Sequence, residues 1–144
     1  MNRSTAAALA ASLAVAGTVT GIGVASASGA ATTHTMQFVG SQIKDVMAND
    51  KDVATDKNTQ NGKTVGYDVT SCAINITTHV ATCTVAVARA QGILVGKAKV
   101  NVDTGKGSGT VTGGTGGFHG ATGTMTINPG SSQNSNKITI TYQV

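Results

Sequence analysis

The sequence predicts an all-β domain, an antiparallel sheet of eight or nearly eight strands closed into a β-barrel. Three observations carry this expectation. From Thr64 onward, runs dominated by Thr, Val and Ile alternate with short Gly- or Asn-rich breaks, the pattern of strands joined by tight turns. No segment of useful length repeats its apolar residues at helical spacing. The segment from Gly113 to Gly123 holds six glycines around Phe118. Glycine tolerates positive φ and close backbone approach, so this segment reads as a tightly turned corner at a barrel rim. Short connections imply an antiparallel meander, and closing the sheet removes its exposed edges.

The elements follow in order. Arg3 supplies a positive start, Ala6 to Val19 is apolar and uncharged, and Ala25-Ser26-Ala27 offers a small-x-small cleavage site. This layout predicts a secretory signal peptide over residues 1–27. A retained anchor would need about 20 strongly apolar residues, whereas this stretch is mostly Ala and is broken by Gly17, Gly21 and Gly23. Cleavage after Ala27 leaves 117 of the 144 residues, enough for one modest core. The expected location is therefore extracellular, with no stable membrane insertion after cleavage. Residues 28–34 read as a disordered tether, and residues 35–144 as one barrel domain. Within it, Thr35 to Val39 is a short strand, with one further strand piece in 41–48. Lys44 to Lys63 is rich in Asp, Lys and Asn. It reads as a long surface loop with one helical turn near Ile43 to Met47. Strands are expected near 64–76, 79–90, 92–102, 107–112, 121–128 and 136–143.

Charge narrows the partners. The full chain carries a net +4, and loss of Arg3 with the signal reduces it to +3. The basic residues are scattered, Trp is absent, and Lys97 and Lys99 form the nearest thing to a patch. Nucleic-acid binders cluster Lys and Arg with stacking aromatics, so no nucleic-acid partner is expected. The chain contains no glutamate, so any carboxylate chemistry falls to six aspartates.

Two cysteines in an exported chain predict a Cys72–Cys83 disulfide. Two soft ligands alone make a poor zinc site, and no metal is expected. If the cysteines face each other directly, the hairpin turn centres between Thr77 and Thr78. Ile74 then pairs with Ala81, Thr70 with Val85, and Asp68 with Val87. Because strand residues alternate faces, Cys72, Ile74, Ile76, Ala81, Cys83, Val85 and Val87 share one apolar face. Tyr67, Ser71, Ala73 and Thr84 share the other. The disulfide and the hydrophobic pattern thus select the same register.

That register directs Asp68 and Arg89 towards the interior at one barrel end, taken here as the mouth. They are the candidate catalytic residues. An Asp–Arg pair beside an apolar lumen can orient a ligand or stabilise developing charge; it can equally be a structural ion pair. Ile74, Ile76, Val85 and Val87 are the candidate lumen walls. Asp103, before Thr104-Gly105, reads as a turn residue. His119 reads as a solvated rim residue, and the face of Tyr142 stays open. Asp50-x-Asp52 lacks the remainder of a calcium loop. Gly105-Lys106-Gly107 is not a phosphate loop. Asn75-Ile76-Thr77 is a glycosylation sequon.

A wider set of residues resembles a known family. It runs from Val65-Gly66-x-Asp68 through Cys72, Cys83, Gly92-Ile93 and Asp103-Thr104-Gly105. The glycine-rich corner, Gly123-Thr124-Met125-Thr126 and the terminal Ile138 to Tyr142 run complete it. Together they resemble the secreted bacterial branch of the allene oxide cyclase barrel-like and dirigent-like family over Gly62 to Val144. The resemblance implies an eight-stranded antiparallel barrel, an apolar lumen, a homo-oligomer and no cofactor. It implies isomerase-like or dirigent chemistry, in which a reactive molecule is held in one folded shape. The plant site residues do not carry over. His119 stands where cyclases often have an acidic residue, and Ala121-Thr122-Gly123 stands where dirigent proteins have an arginine. The functional expectation is a secreted barrel that binds a small apolar or phenolic molecule and guides its cyclisation or stereochemistry. The alternative is a non-catalytic ligand carrier or surface-interaction barrel.

Overall fold

The computed structural model describes residues 31–144, so the signal-peptide expectation lies outside the described residues. Eight antiparallel strands close into a barrel in sequence order. They are β1 (Thr33–Ala48), β2 (Lys51–Gln60), β3 (Lys63–Asn75), β4 (Val80–Arg89), β5 (Gly92–Asn101), β6 (Gly107–Gly114), β7 (Thr122–Pro129) and β8 (Ser135–Gln143). β8 pairs back onto β1, which leaves no open sheet edge. One short 3-10 turn, Gly116–Phe118, interrupts the β6–β7 connection.

Two expectations about the N-terminal part are corrected. Thr33 and His34, assigned above to a tether, already pair with Gln143 and Tyr142. Residues 44–63, assigned above to a loop with a helical turn, form most of the β1–β2 hairpin and the start of β3. Asn49 adopts a φ of 56° in the two-residue turn, where asparagine tolerates the left-handed region. Asn61-Gly62, with φ of 50° and 75°, makes the next turn in the manner of Asn-Gly hairpins. The β1 strand is long because a bulge at Ile43 bends it, with Gln42 opposite Asp56 and Lys44 opposite Thr55.

The β3–β4 ladder follows the register predicted from the cysteines. Cys72 faces Cys83, Ile74 faces Ala81, and Asp68 faces Val87. The disulfide is formed, with Cα atoms 4.0 Å apart, the close spacing of a non-hydrogen-bonded pair.

The two barrel ends differ. At one end Phe118, Leu94 and Ala121 are fully buried, and Phe38 and Tyr142 are nearly so. Phe118 meets Tyr142 edge-on at 5.4 Å, and His34 stacks on Tyr142 at 5.3 Å. The glycine-rich corner makes this plug. Gly116 sits at φ 58°, and a Cβ there would collide with the Gln91 carbonyl oxygen. Only glycine lets the chain turn so close to the β4–β5 connection and drive Phe118 inward. The other end carries the β1–β2, β3–β4, β5–β6 and β7–β8 turns and stays open. Its loops are tied by backbone hydrogen bonds, from the Gln42 N–H to the Asn134 carbonyl and from the Val102 N–H to the His79 carbonyl. His79 Nδ1 also meets Asp103 at 2.8 Å across the rim.

Candidate functional site: an aliphatic lumen with an acidic wall

Between the plug and the open rim lies a cavity of about 570 Å³. Barrels of about eight strands are wide enough either to be filled by side chains or to hold one small ligand; this one keeps space. One wall is aliphatic. Val85 and Val87 from β4, Val100 from β5, Ile127 from β7, and Ile138 and Ile140 from β8 all face it. Each belongs to the inward half of a period-two strand.

The opposite wall is polar. Strand β2 turns Asp52, Ala54 and Asp56 inward, and Asp68 and Thr70 follow on β3. Asp56 and Asp68 are directly opposite each other in the β2–β3 ladder. Such a pair of like charges on one sheet face is unfavourable unless a proton or a cation joins it. Asp50 adds a carboxylate near the rim, and among the described residues no lysine, arginine or histidine lines the cavity. A basic protein thus has an acidic interior, its lysines (such as Lys57, Lys97 and Lys99) being exposed.

Asp68 is the deepest of these acids, at 2 % exposure. Burial, reinforced by the neighbouring Asp56, lifts its carboxyl from the ordinary 3.8 to about 6. The nearby Asn58, the Thr70 hydroxyl and the more distant charge of Arg89 act the other way. Thr70 Oγ1 donates a long 3.4 Å hydrogen bond to Asp68 Oδ1, whereas Asp68 Oδ2 has no partner. Asn58 is fully buried beside it, close enough for its amide to favour the charged carboxylate, although neither amide atom reaches full hydrogen-bond geometry. Burial raises Asp56 as well, with Asp52 adding to the effect, and it raises Asp52, with Asp45 adding. Gly40 leaves space in front of this wall: a Cβ there would lie 3.1 Å from Asp56 Oδ2.

The sequence-derived candidates fall in different places. Asp68 faces the lumen, but at its floor rather than its mouth. The β3–β4 turn lies at the open rim, so moving down that hairpin leads inward. Arg89 lies past the floor. It does not line the cavity and makes no ion pair with Asp68; its guanidinium stacks over Phe38 at 4.2 Å. Burial pushes its pKa down, with Asp68 opposing. Among the described residues the ion pair within 4 Å is His79–Asp103. Ile74, Val85 and Val87 line the cavity walls, and Ile76 stands at the rim, 78 % exposed. Tyr142 points into the plug. Asp52, Asp56 and Asn58 were missed by sequence reasoning. Their only signal was the i, i+2 spacing of polar residues in a segment whose one inward apolar residue is the small Ala54.

No family model matches the chain, and no curated protein matches it by sequence. Solved structures do match by shape. Pyocyanin demethylase aligns with a TM-score of 0.65 at 18% identity, over 76% of this chain and 99% of that one. A pterocarpan synthase dirigent protein aligns at 0.66 and 15% identity, over 78% and 88%. A Diels Alderase from Streptomyces koyangensis aligns at 0.57 and 11% identity, over 81% and 70%. The chain therefore shares its barrel fold with a dirigent protein, a demethylase and a Diels Alderase. At these identities the likeness establishes the fold alone.

Proposed function

We propose that this chain is an exported binding barrel that takes one small, largely apolar molecule into its lumen and guides its cyclisation or stereochemistry. The carrying observation is the 570 Å³ cavity, open at one end and aliphatic on one side, with the half-partnered Asp68 at its floor. The aliphatic wall fixes the shape of the bound molecule, and a preset shape lowers the entropic part of a ring-closing barrier. Asp68 supplies the polar contact. A carboxyl that titrates near 6 exchanges protons readily close to neutral pH, as a general acid or base must. The structural neighbours support this reading, since a demethylase, a pterocarpan synthase and a Diels Alderase bear the names of three unlike reactions on one barrel. A packed interior would have favoured a pure surface-interaction barrel, and this interior is open. Export is supported by the formed disulfide. Among the described residues no helix is long and apolar enough to cross a membrane.

Native mass spectrometry of the protein secreted by its own host tests both parts. The expected spectrum shows a chain beginning after Ala27 with a reproducible extra mass that is lost on denaturation. A bare mass under native conditions counts against a resident ligand, and a full-length chain counts against export.

A further inference from the structure

We infer that the lumen is built for a cationic ligand: a small aliphatic or aromatic molecule bearing a protonated amine or another positively charged nitrogen, which sits between Asp56 and Asp68. This rests on the lumen-binding reading above and names the ligand class.

Four observations carry it. Among the described residues the cavity is lined by Asp50, Asp52, Asp56 and Asp68 and by no cationic side chain. Asp56 and Asp68 are direct cross-strand partners, so two carboxylates share one inward-facing site. Asp68 lines the cavity and is 98 % buried, and its Oδ2 has no hydrogen-bond partner. Asp56 Oδ1 is likewise buried without a hydrogen-bond partner. Buried charges and polar groups are ordinarily paired. These acceptors, left open together at the floor of an apolar pocket, match a group that brings positive charge and N–H donors.

The other sources of positive charge do not serve. Arg89 is the nearest side-chain cation and its charge is felt at Asp68, but it forms no ion pair with it, stacks over the Phe38 ring and lies outside the cavity. Among the described residues no three potential metal ligands converge on one point. The acids are strung along β2 and β3 instead, as suits an extended organic cation. The aliphatic wall across the lumen takes the rest of the molecule. A carboxylate ligand is excluded by repulsion, and a neutral one leaves the Asp56–Asp68 repulsion in place.

Three naphthyl probes of nearly one shape test this: 1-naphthylmethylamine, 1-naphthylmethanol and 1-naphthoate. The protein has no Trp, so naphthyl fluorescence reads binding directly. At pH 7.5 the amine is expected to bind about tenfold or more tighter than the alcohol, one ion-pair contact's worth of free energy, and the naphthoate weakest of all. In Asp68→Asn the advantage of the amine over the alcohol shrinks towards unity, and Asp56→Asn shrinks it in the same direction. Thermal melts confirm that each variant is folded. Equal affinity for amine and alcohol in the wild-type protein overturns the cationic-ligand inference and leaves the lumen-binding reading standing. An amine preference that survives in both folded variants overturns the assignment to this carboxylate pair. If none of the probes binds, both the inference and the lumen reading fall.

Discussion

The two walls of the lumen follow opposite rules. On β4, β5, β7 and β8 the inward positions are mostly apolar, such as Val85, Val87, Leu94, Ala98, Ile127, Ile138 and Ile140, and many outward ones are Thr or Lys, such as Thr82, Thr84, Lys97, Lys99, Thr124 and Lys137. That is the ordinary arrangement of a half-buried strand. On the outer β1–β2 hairpin the arrangement is inverted. Val46 and Val53 pair on the outside, 57 % and 46 % exposed, while Asp52 and Asp56 point inward. The first wall contributes stability. The second costs stability, because desolvated acids without counter-ions oppose folding. Proteins keep such arrangements where a site needs them.

The same contrast explains what the sequence disclosed. The β3–β4 hairpin was legible to the residue, because two cysteines and an alternating apolar face select one register. Residues 44–63 read as a loop because strand detection relies on apolar residues facing inward, and on β2 Asp52, Asp56 and Asn58 take those positions. The lumen acids were hidden for the reason that makes them interesting. Asp68 was found because it lies on the hairpin whose register was fixed. Its depth was misjudged because nothing local says which end of a barrel is plugged; Phe118, fifty residues away in sequence, decides that.

Four experiments sharpen or break the contrast. The largest effect is expected at the plug: Phe118→Ala removes a fully buried aromatic and should cost about 3–5 kcal/mol in denaturant unfolding. A smaller loss would mean that Tyr142 and Leu94 close the end without it.

The acidic wall should respond with the opposite sign. Asp68 binds its proton more tightly folded than unfolded, since burial raises its pKa from 3.8 to about 6. Its contribution is therefore fully favourable below about pH 4 and is lost as pH rises through 6. Asp52 and Asp56 are raised too and act in the same sense. Asp68→Asn should then stabilise the protein at pH 8 by up to about 3 kcal/mol and change little at pH 4. Equal effects at both pH values would show that Asp68 is not desolvated.

Reducing the Cys72–Cys83 disulfide, whose partners lie 11 residues apart, should cost about 2–3 kcal/mol, read as a shift in the unfolding midpoint. At the rim, His79 and Asp103 are more than half exposed, so Asp103→Asn should change stability by only a few tenths of a kcal/mol. A larger loss would show that the rim loops are held more tightly than their exposure implies.

The most direct measurement is the titration of the Asp68 carboxyl by carbon-detected NMR, with and without saturating 1-naphthylmethylamine. We predict an apparent pKa near 6 in the free protein, displaced downward when the amine is bound. A carboxyl that titrates near 3.8 and does not respond to the amine would contradict the account, because the lumen would then hold neither a desolvated acid nor a site for positive charge.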